Sequence, residues 1–329
     1  MVRQLVDLHQ RAIRYLRVSI TDLCNLRCVY CRPPEGVKLV THDDILRYEE
    51  ILTIIEIARD LGITKVRITG GEPLVRRGVV QFMERLLSMP GIEDVGLTTN
   101  GTRLAAMVAQ LRTIGLRRVN ISLDTLRREV FAQITGSDAL DTVLEGISAA
   151  LGAGFNPVKI NVVLLKGINE GDIPGFAKMT LDTPVDVRFI ERMPFGPGEA
   201  LNPPNPFSAA YALDMIREAF GSLEEVDRDS LAGPARMFRI RGAQGRIGVI
   251  EPVTGHFCGT CNRMRLTAKG TLRPCLMSSR EIDIKKVLRS GASREQVAEV
   301  LRFAVRAKPA GSHSDHCLEP QEGMNRIGG

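Results

Sequence analysis

The chain has 329 residues, of which 44% are hydrophobic and 25% are charged, and its mean hydropathy is −0.01. This length suits one large α/β domain with a smaller addition, or two domains, and no apolar run approaches the roughly 18 residues of a membrane span. The net charge of +6 suggests an anionic partner, but no Lys/Arg-rich tract indicates a nucleic-acid surface. The N-terminal stretch MVRQLVDLHQR lacks the apolar segment of a signal peptide, so we expect a cytoplasmic protein.

Short β-rich runs alternate with amphipathic helical patterns from residue 14 to about residue 220. The predicted strands are Arg14–Ile20, Lys65–Thr69, Asp94–Thr98, Arg118–Leu123, Val158–Leu164 and Val185–Ile190. The predicted helices are Asp44–Leu61, Val79–Ser88, Arg103–Ile114, Leu140–Leu151 and Ile173–Met179. This alternation predicts parallel strands with right-handed crossovers, as in a doubly wound sheet or a partial barrel.

Polar or glycine-rich segments recur where the predicted strands end. TGGEP follows the second strand, TTNG the third, SLD the fourth and ERMP the sixth. Active sites of (β/α) barrels are built at the carboxyl ends of the strands. The sequence therefore predicts an α/β fold, a partial (β/α)6 TIM-type barrel, with its site at that edge.

The pattern changes after the Pro-rich stretch Asn202–Phe207. A helix at Ala209–Phe220 is predicted to close the first domain. Short strands at Met237–Arg241 and Arg246–Ile250 and a late helix at Arg294–Arg306 follow. We expect a barrel domain at 1–225 and a smaller C-terminal α+β domain at 226–329 that carries a second cysteine cluster.

The seven cysteines form two groups of three and one left over. The N-terminal triad is Cys24-x3-Cys28-x2-Cys31, and the C-terminal triad is Cys258-x2-Cys261-x13-Cys275. Clustered cysteines in an odd total favour a metal or redox site over a secreted disulfide framework. Three thiolates on a cubane iron–sulfur cluster leave one iron open to a small molecule.

A zinc site is the alternative for these cysteines, but structural zinc takes four ligands and each triad supplies only three. In the C-terminal triad the fourth ligand would be Cys317 or His256. The chain would then be a zinc-dependent module that binds nucleic acid or protein, and metal analysis separates the two readings.

The segment RVSITDLCNLRCVYC, together with Gly70-Gly71-Glu72-Pro73, strongly resembles the radical S-adenosylmethionine (SAM) superfamily. The resemblance implies that the open iron of the N-terminal cluster binds SAM and that a 5′-deoxyadenosyl radical is released. It further implies that Tyr30, Gly71, Ser122 and Met193 contact SAM, and that Asn100 and Asp124 shape that site.

The resemblance extends to one family within this superfamily. The blocks YLRVSITDLCNLRC, VRITGGEPL, LTTNGT, NISLDTL, IERMPFG, GHFCGTCNRMRLTAKGTLRPCL and the terminal GG occur in the order of the molybdenum cofactor biosynthesis protein A family, the GTP 3′,8-cyclases. In the implied reaction the radical removes the ribose 3′-hydrogen of GTP, and C3′ bonds to guanine C8. The product, (8S)-3′,8-cyclo-7,8-dihydroguanosine 5′-triphosphate, is an early intermediate of molybdopterin synthesis.

The same resemblance implies a substrate site. The implied GTP contacts are Arg17, Arg67, Thr98, Lys159, Arg263, Met264 and Arg265. Arg265 and the terminal Gly328 and Gly329 would support catalysis, and no side chain is assigned as acid or base.

The residues themselves support an anionic ligand. Arg17, Arg67 and Lys159 lie within otherwise apolar strand patterns, and burying a cation without an anion is costly. No GxxxxGK[ST] loop is present to hold phosphate, whereas the planar fork of arginine makes bidentate phosphate contacts.

The implied cofactors are two 4Fe-4S clusters and SAM. The implied partners are an electron donor such as flavodoxin or ferredoxin, and a downstream cyclic pyranopterin synthase that takes the product. We expect a monomer or homodimer that binds neither nucleic acid nor membrane. The alternative enzyme class is a radical SAM peptide-modifying enzyme with an auxiliary cluster.

Overall fold

The computed structural model describes residues 4–32, 41, 43–193, 207–227, 233–255 and 257–311. The strands are β1 Tyr15–Ser19, β2 Lys65–Thr69, β3 Asp94–Thr99, β4 Val119–Ser122, β5 Val158–Leu164, β6 Val185–Glu191, β7 Leu223–Val226, β8 Arg236–Ile240, β9 Arg246–Ile250, β10 Arg263–Leu266, β11 Thr271–Arg273 and β12 Ile282–Asp283. The helices are α1 Tyr48–Asp60, α2 Val79–Leu87, α3 Leu104–Thr113, α4 Arg128–Thr135, α5 Leu140–Gly152, α6 Ile173–Asp182, α7 Ala209–Phe220, α8 Ile284–Arg289 and α9 Arg294–Arg306.

The first six strands form the expected partial barrel. Each of β1 to β5 pairs in parallel with the next strand in sequence, and at least one helix lies between successive strands from β1 to β6. The six predicted strands agree with the observed ones to within one residue at each end. The α/β barrel prediction is therefore confirmed.

The later strands extend the same sheet at both edges. Strand β10 pairs in parallel with β1, and β9 pairs in parallel with β6. The remaining short strands add antiparallel beyond them, in the overall order β12-β11-β10-β1-β2-β3-β4-β5-β6-β9-β8-β7. The division at residue 226 stays a prediction, but the C-terminal triad is thereby placed next to the first strand of the barrel.

Alternation along each strand separates the core from the lumen. In β1, Leu16 and Val18 are fully buried in the hydrophobic core, where they share a cluster with Ile54 of α1 and Phe82 of α2. Arg17, between them, lines the central cavity. The apolar outer face of the sheet therefore packs on the helices, while the inner face remains available for polar side chains.

Helix α4 was not among the predicted elements. It has only eight residues and begins with a charged pair, so its helical pattern is short. Its last carbonyls accept hydrogen bonds from the backbone of the cysteine segment, Arg27 N to Thr135 O at 2.8 Å and Val29 N to Ile134 O at 2.9 Å. The helix therefore supports the loop that carries the N-terminal triad.

A search of the described ranges finds no helix that is both long enough and apolar enough to cross a membrane.

Candidate active site

One cavity of about 370 Å³ lies in the lumen of the barrel and touches all six cysteines of the two triads. These six cysteines are free thiols, so none is consumed by a disulfide. The cavity also collects residues from every strand between β1 and β6, as well as from β10.

The two triads lie at opposite edges of the sheet. Cys24, Cys28 and Cys31 follow β1, so they are at the carboxyl edge of the parallel strands. Cys258 and Cys261 precede β10, which runs parallel to β1, and Cys275 follows the antiparallel β11. This places the C-terminal triad at the amino edge, separated from the first by strands of five residues, about 16 Å.

At the carboxyl edge, buried Glu72 organises two loops. Its carboxylate accepts hydrogen bonds from Leu74 N at 3.0 Å, Thr99 Oγ1 at 2.8 Å and Asn100 N at 2.6 Å. Burial raises the pKa of Glu72 to about 7, although these hydrogen bonds act in the other direction. Asn100 in turn lies 3.8 Å from the sulfur of Cys24, so Glu72 positions a polar neighbour of the first triad.

Asp124 fixes the other side of the cysteine loop. Its carboxylate accepts from Tyr30 Oη at 2.6 Å and from Val163 N at 2.8 Å. Burial raises the pKa of Asp124 to about 6. The tyrosine next to Cys31 is thus tied to the end of β4, and both it and Ser122 line the cavity.

The glycine pair has a local structural reason. A Cβ on Gly71 would lie 2.2 Å from Leu23 O, and one on Gly70 would lie 2.7 Å from Thr21 O. Gly71 N also donates to Thr21 O at 2.7 Å. The glycines therefore let this loop pack directly on the backbone that leads into Cys24.

The inner face of the barrel carries a belt of cations. Arg265, Arg17 and Arg67 are register partners on the neighbouring strands β10, β1 and β2. Burial lowers the pKa of Arg265, and the nearby Arg17 and Arg263 lower it further. Burial alone would raise the pKa of Tyr15, yet Arg67, Arg17 and Arg263 lower it to about 7. Like charges side by side on a sheet are destabilising, so this belt favours an anionic ligand.

The belt continues across the far side of the lumen. Lys159 on β5 pairs in register with Asn120, and Arg188 on β6 pairs in register with Asn161. Burial and the charge of Arg188 lower the pKa of Lys159 to about 7, even though Asp186 lies 3.9 Å away. Burial, followed by the charge of Arg67, lowers the pKa of Arg188 to about 10.

Several cavity-lining polar atoms are buried and have no hydrogen-bond partner among the described residues. They are Nη1 of Arg67, Oγ1 of Thr98, Oδ1 of Asn120, Oδ1 of Asn161, and Nε and Nη2 of Arg188. Buried polar groups are normally satisfied, so a set of donors and acceptors around one cavity points to a polar ligand.

Two glycines make room for the belt. A Cβ on Gly96, the register partner of Arg67, would lie 2.3 Å from Nη1 of that arginine. A Cβ on Gly248, the register partner of Arg188, would lie 2.9 Å from Cγ of that arginine. The side chain of each arginine therefore lies across a strand position that only glycine leaves open.

At the amino edge, the C-terminal triad is surrounded by cations. Burial acts to raise the pKa of Cys261, but Lys308 and Arg263 outweigh it and lower the pKa to about 7. Thiolates are the form that binds iron or zinc, so these charges suit a metal-ligand role. Within the described ranges no group of three or more His, Cys, Asp or Glu side chains has the geometry of a site for a single metal ion.

The structure brings together most of the predicted site residues. The cavity is lined by the six cysteines and by Tyr30, Gly71, Ser122, Met193, Arg17, Arg67, Thr98, Lys159, Arg263 and Arg265. Gly328, Gly329, His256 and Cys317 lie outside the described residues. The roles of these residues stay predictions.

Met264 does not fit the prediction as a side-chain contact. It is 1% exposed, belongs to the hydrophobic core, and is not among the cavity-lining residues. Alternation along β10 directs its side chain away from the lumen that Arg263 and Arg265 face. Only its backbone is left for a contact with GTP.

Sequence reasoning missed Arg188, Asn120, Asn161 and Lys308, all of which line the cavity. Arg188 had a usable signal, because it is a lone cation in an apolar strand, like Arg17. Lys308 had none, since it follows a helix far from either triad in sequence.

Comparison with known proteins agrees with the fold and indicates a family. The profile of the radical SAM superfamily matches residues 18–180, and that of Molybdenum Cofactor Synthesis C matches residues 185–314. The structure of Streptococcus suis SuiB bound to S-adenosylmethionine is similar with a TM-score of 0.57 at 16% identity, covering 91% of this chain and 69% of that chain. SuiB bound to the precursor peptide SuiA gives a TM-score of 0.56 at 16% identity, over 91% and 68% of the two chains. These two likenesses concern the fold alone.

The profile and the full-length relatives together make this chain a radical SAM enzyme, and that membership brings SAM and a 4Fe-4S cluster as cofactors. Two full-length relatives are more specific. The chain is 49% identical to the GTP 3′,8-cyclase of Thermodesulfovibrio yellowstonii over 324 residues, covering 98% of this chain and 99% of that protein. It is 44% identical to the GTP 3′,8-cyclase of Pelotomaculum thermopropionicum over 323 residues, with the same two shares covered. The chain therefore belongs to the GTP 3′,8-cyclase family.

Proposed function

We propose that this protein converts GTP to its 3′,8-cyclised form in the lumen of the barrel, with SAM at the carboxyl edge and the nucleotide toward the amino edge. The observation that carries the proposal is the belt of Arg265, Arg17 and Arg67 at one register of three adjacent strands. A triphosphate supplies the negative charge that such a belt needs, and guanidinium groups bind phosphate in bidentate geometry.

The first triad and its supports suit SAM. Cys24, Cys28 and Cys31 would hold the 4Fe-4S cluster, and Tyr30, Gly71, Ser122 and Met193 would contact SAM. With both groups bound, such a site supplies a 5′-deoxyadenosyl radical on one-electron reduction. The carboxylates of Glu72 and Asp124 position the surrounding loops. Exclusion of water from the lumen would protect a carbon radical from quenching.

The second triad suits the substrate. Cys258, Cys261 and Cys275 would hold a second 4Fe-4S cluster, which would supply an open iron position for the guanine edge. The three thiols line the same cavity as the belt, so a base held there leaves its ribose and phosphates among Arg17, Arg67, Lys159, Arg188 and Arg265. Thr98, whose buried hydroxyl has no partner among the described residues, would contact the nucleotide as well. Orienting the ribose toward the carboxyl edge is what hydrogen abstraction requires.

The wider context of the proposal follows the family. An electron donor such as flavodoxin or ferredoxin would reduce the first cluster, and a cyclic pyranopterin synthase would take the product. The proposal also includes a barrel domain at 1–225 and a C-terminal domain at 226–329. It includes a supporting role in catalysis for Gly328 and Gly329.

The test is an anaerobic assay with reconstituted protein, a reductant, SAM and GTP. We expect 5′-deoxyadenosine together with a nucleotide product that converts to a pterin. Formation of 5′-deoxyadenosine without any GTP-derived product would refute the substrate while keeping the radical chemistry. Two zinc ions and no iron in anaerobically purified protein would refute both.

A further inference from the structure

We propose that Arg11 and Lys308 form a two-cation clamp that positions the C-terminal cysteine triad and retains the cluster that it holds. This inference rests on the proposed second cluster. Neither residue lies in a cysteine motif, and they come from opposite ends of the described chain.

Lys308 ties together two of the cysteine segments. Its ammonium donates to Arg263 O and to Pro274 O, both at 2.8 Å. The first carbonyl is two residues after Cys261, and the second belongs to the residue before Cys275. One side chain therefore sets the distance between the CxxC turn and the third cysteine.

Arg11 holds the remaining segment. Its Nη1 donates to Cys258 O at 2.7 Å, and its Nη2 donates to Pro309 O at 2.5 Å. Because Pro309 follows Lys308, the same guanidinium positions the backbone of the other clamp residue. Arg11 is itself fixed by Asp7, whose carboxylate accepts from Arg11 Nε at 2.6 Å and from Arg11 N at 2.9 Å.

The charge balance explains why Lys308 is more than a tie between loops. It is 4% exposed, and among the described residues its ammonium forms no ion pair with a carboxylate. A buried ammonium is costly unless an anion compensates it. The group it does face is Cys261, and cysteines bind iron as thiolates, so the loaded triad supplies the missing negative charge.

Arg11 carries its own counterion, in contrast. Asp7 pairs with it at 2.6 Å, and the two side chains are 6% and 0% exposed. Arg11 thus acts on backbone geometry, whereas Lys308 acts on both geometry and charge. Outer partners of metal ligands of this kind change metal affinity by about 10–100-fold when they are removed.

The test isolates the second cluster. In a Cys24→Ser/Cys28→Ser/Cys31→Ser background, the full-length protein is reconstituted anaerobically and challenged with a chelator while cluster absorbance and iron content are followed. We expect Lys308→Met to lose iron about 10–100-fold faster than the background, and Arg11→Met to lose it faster as well. We also expect Lys308→Met to shift the midpoint potential of the cluster to a more negative value, since a positive charge is removed.

Two matched substitutions control for the loss of a cation that donates to a carbonyl. Lys285 donates to Asp44 O at 2.6 Å, and Arg289 donates to Asp43 O at 2.7 Å, both away from the triad. Lys285→Met and Arg289→Met should retain the cluster like the background. Lys308→Arg, which keeps the charge, should restore the potential, and thermal melting followed by circular dichroism verifies that each variant is folded.

The outcomes separate the clamp from the proposed cluster. If the background holds iron and Lys308→Met neither speeds its loss nor shifts its potential, the clamp is wrong and the cluster stands. If the background holds no iron at all, the second cluster is wrong and the clamp fails with it. A second background, Cys258→Ser/Cys261→Ser/Cys275→Ser, keeps only the first cluster. If Lys308→Met speeds the loss of iron equally in that background, Lys308 acts on the fold in general, and this result also overturns the clamp.

Discussion

The two edges of the barrel hold their cysteines with opposite charges. At the carboxyl edge, the carboxylates of Glu72 and Asp124 accept from backbone N–H groups and from Tyr30. At the amino edge, the cations Arg11 and Lys308 donate to backbone carbonyls. Each edge thus fixes its cysteine loops with side chains whose charge is opposite to that of the ligand proposed for that edge.

This difference matches the ligands that we propose for each edge. The sulfonium of SAM is a cation, and carboxylates at the carboxyl edge suit it. The triphosphate of GTP is an anion, and the arginine belt suits it. We expect a lumen polarised in this way to help orient the two substrates, because each carries a charge opposite to that of the side chains proposed to bind it.

Removing the cysteines of one edge at a time is the strongest test of the difference between the two edges. Cys24→Ser/Cys28→Ser/Cys31→Ser should abolish formation of 5′-deoxyadenosine. Cys258→Ser/Cys261→Ser/Cys275→Ser should still cleave SAM slowly but should form no cyclised nucleotide. Each triple variant should hold about four irons, against about eight in the parent protein. Cyclisation of GTP by the second variant would show that the amino edge does not bind the substrate through a cluster.

Substitution in the cation belt should affect only the nucleotide. Arg265→Ala should lower kcat/KM for GTP about 100-fold, or about 3 kcal/mol, because charge-assisted contacts with phosphate are lost. Arg188→Ala should act in the same direction. Arg265→Lys should recover part of the loss, since lysine keeps the charge but not the fork.

The control for the belt is Arg217→Ala, an exposed arginine at 48% side-chain exposure that pairs with Asp214 on α7. It should leave GTP kinetics unchanged. Both clusters should stay loaded in Arg265→Ala, and a loss of iron from that variant would show Arg265 to be structural.

Removal of Glu72 tests the support of the carboxyl edge. Glu72→Ala should lower the free energy of unfolding by about 2–4 kcal/mol, because Thr99 Oγ1 and Asn100 N lose their buried acceptor. Glu72→Gln should cost less, since its amide oxygen still accepts. Denaturant unfolding under anaerobic conditions measures both, and exposed Glu49→Ala is the neutral comparison. Equal stability of Glu72→Ala and the parent would contradict the bridging role.

The smallest expected effect is a pH dependence of GTP affinity. The pKa of Lys159 is about 7 without a ligand, below its ordinary value, so the side chain is largely neutral above pH 7. An anion binds the protonated form, so binding takes up a proton, and affinity should fall about fivefold between pH 7 and pH 8. Titration of binding at several pH values checks this, and Lys159→Arg should flatten the profile. A profile that is already flat in the parent would mean that Lys159 does not meet the phosphates.

The strands and the lumen-facing cations could be predicted from sequence, because strand alternation is local. Arg17, Arg67 and Lys159 each interrupt an apolar strand pattern, and all three line the cavity. The cysteine triads were visible from spacing alone. Met264 shows the limit of motif matching, since its motif neighbours face the lumen and its own side chain faces the core.

The rest depends on contacts that no local pattern shows. The pairing of β10 with β1 brings Arg265 beside Arg17, and Arg11 reaches Cys258 across 247 positions of the chain. Helix α4 supports the cysteine loop through backbone hydrogen bonds, which leave no side-chain signature. Gly96 could be seen as a strand glycine, but the guanidinium of Arg67 that explains it comes from the neighbouring strand.

The pairing of β1 with β10 also has a consequence for folding. As the chain emerges from the ribosome, β2 follows β1 early and covers one of its edges, whereas β10 comes late. Until then the other edge of β1 presents unpaired backbone groups, which are a template for aggregation. Arg17 alternates with apolar residues along that strand, and a charge placed there hinders pairing with another chain. We therefore expect the same arginine that is proposed to bind substrate to oppose such pairing while the barrel is incomplete.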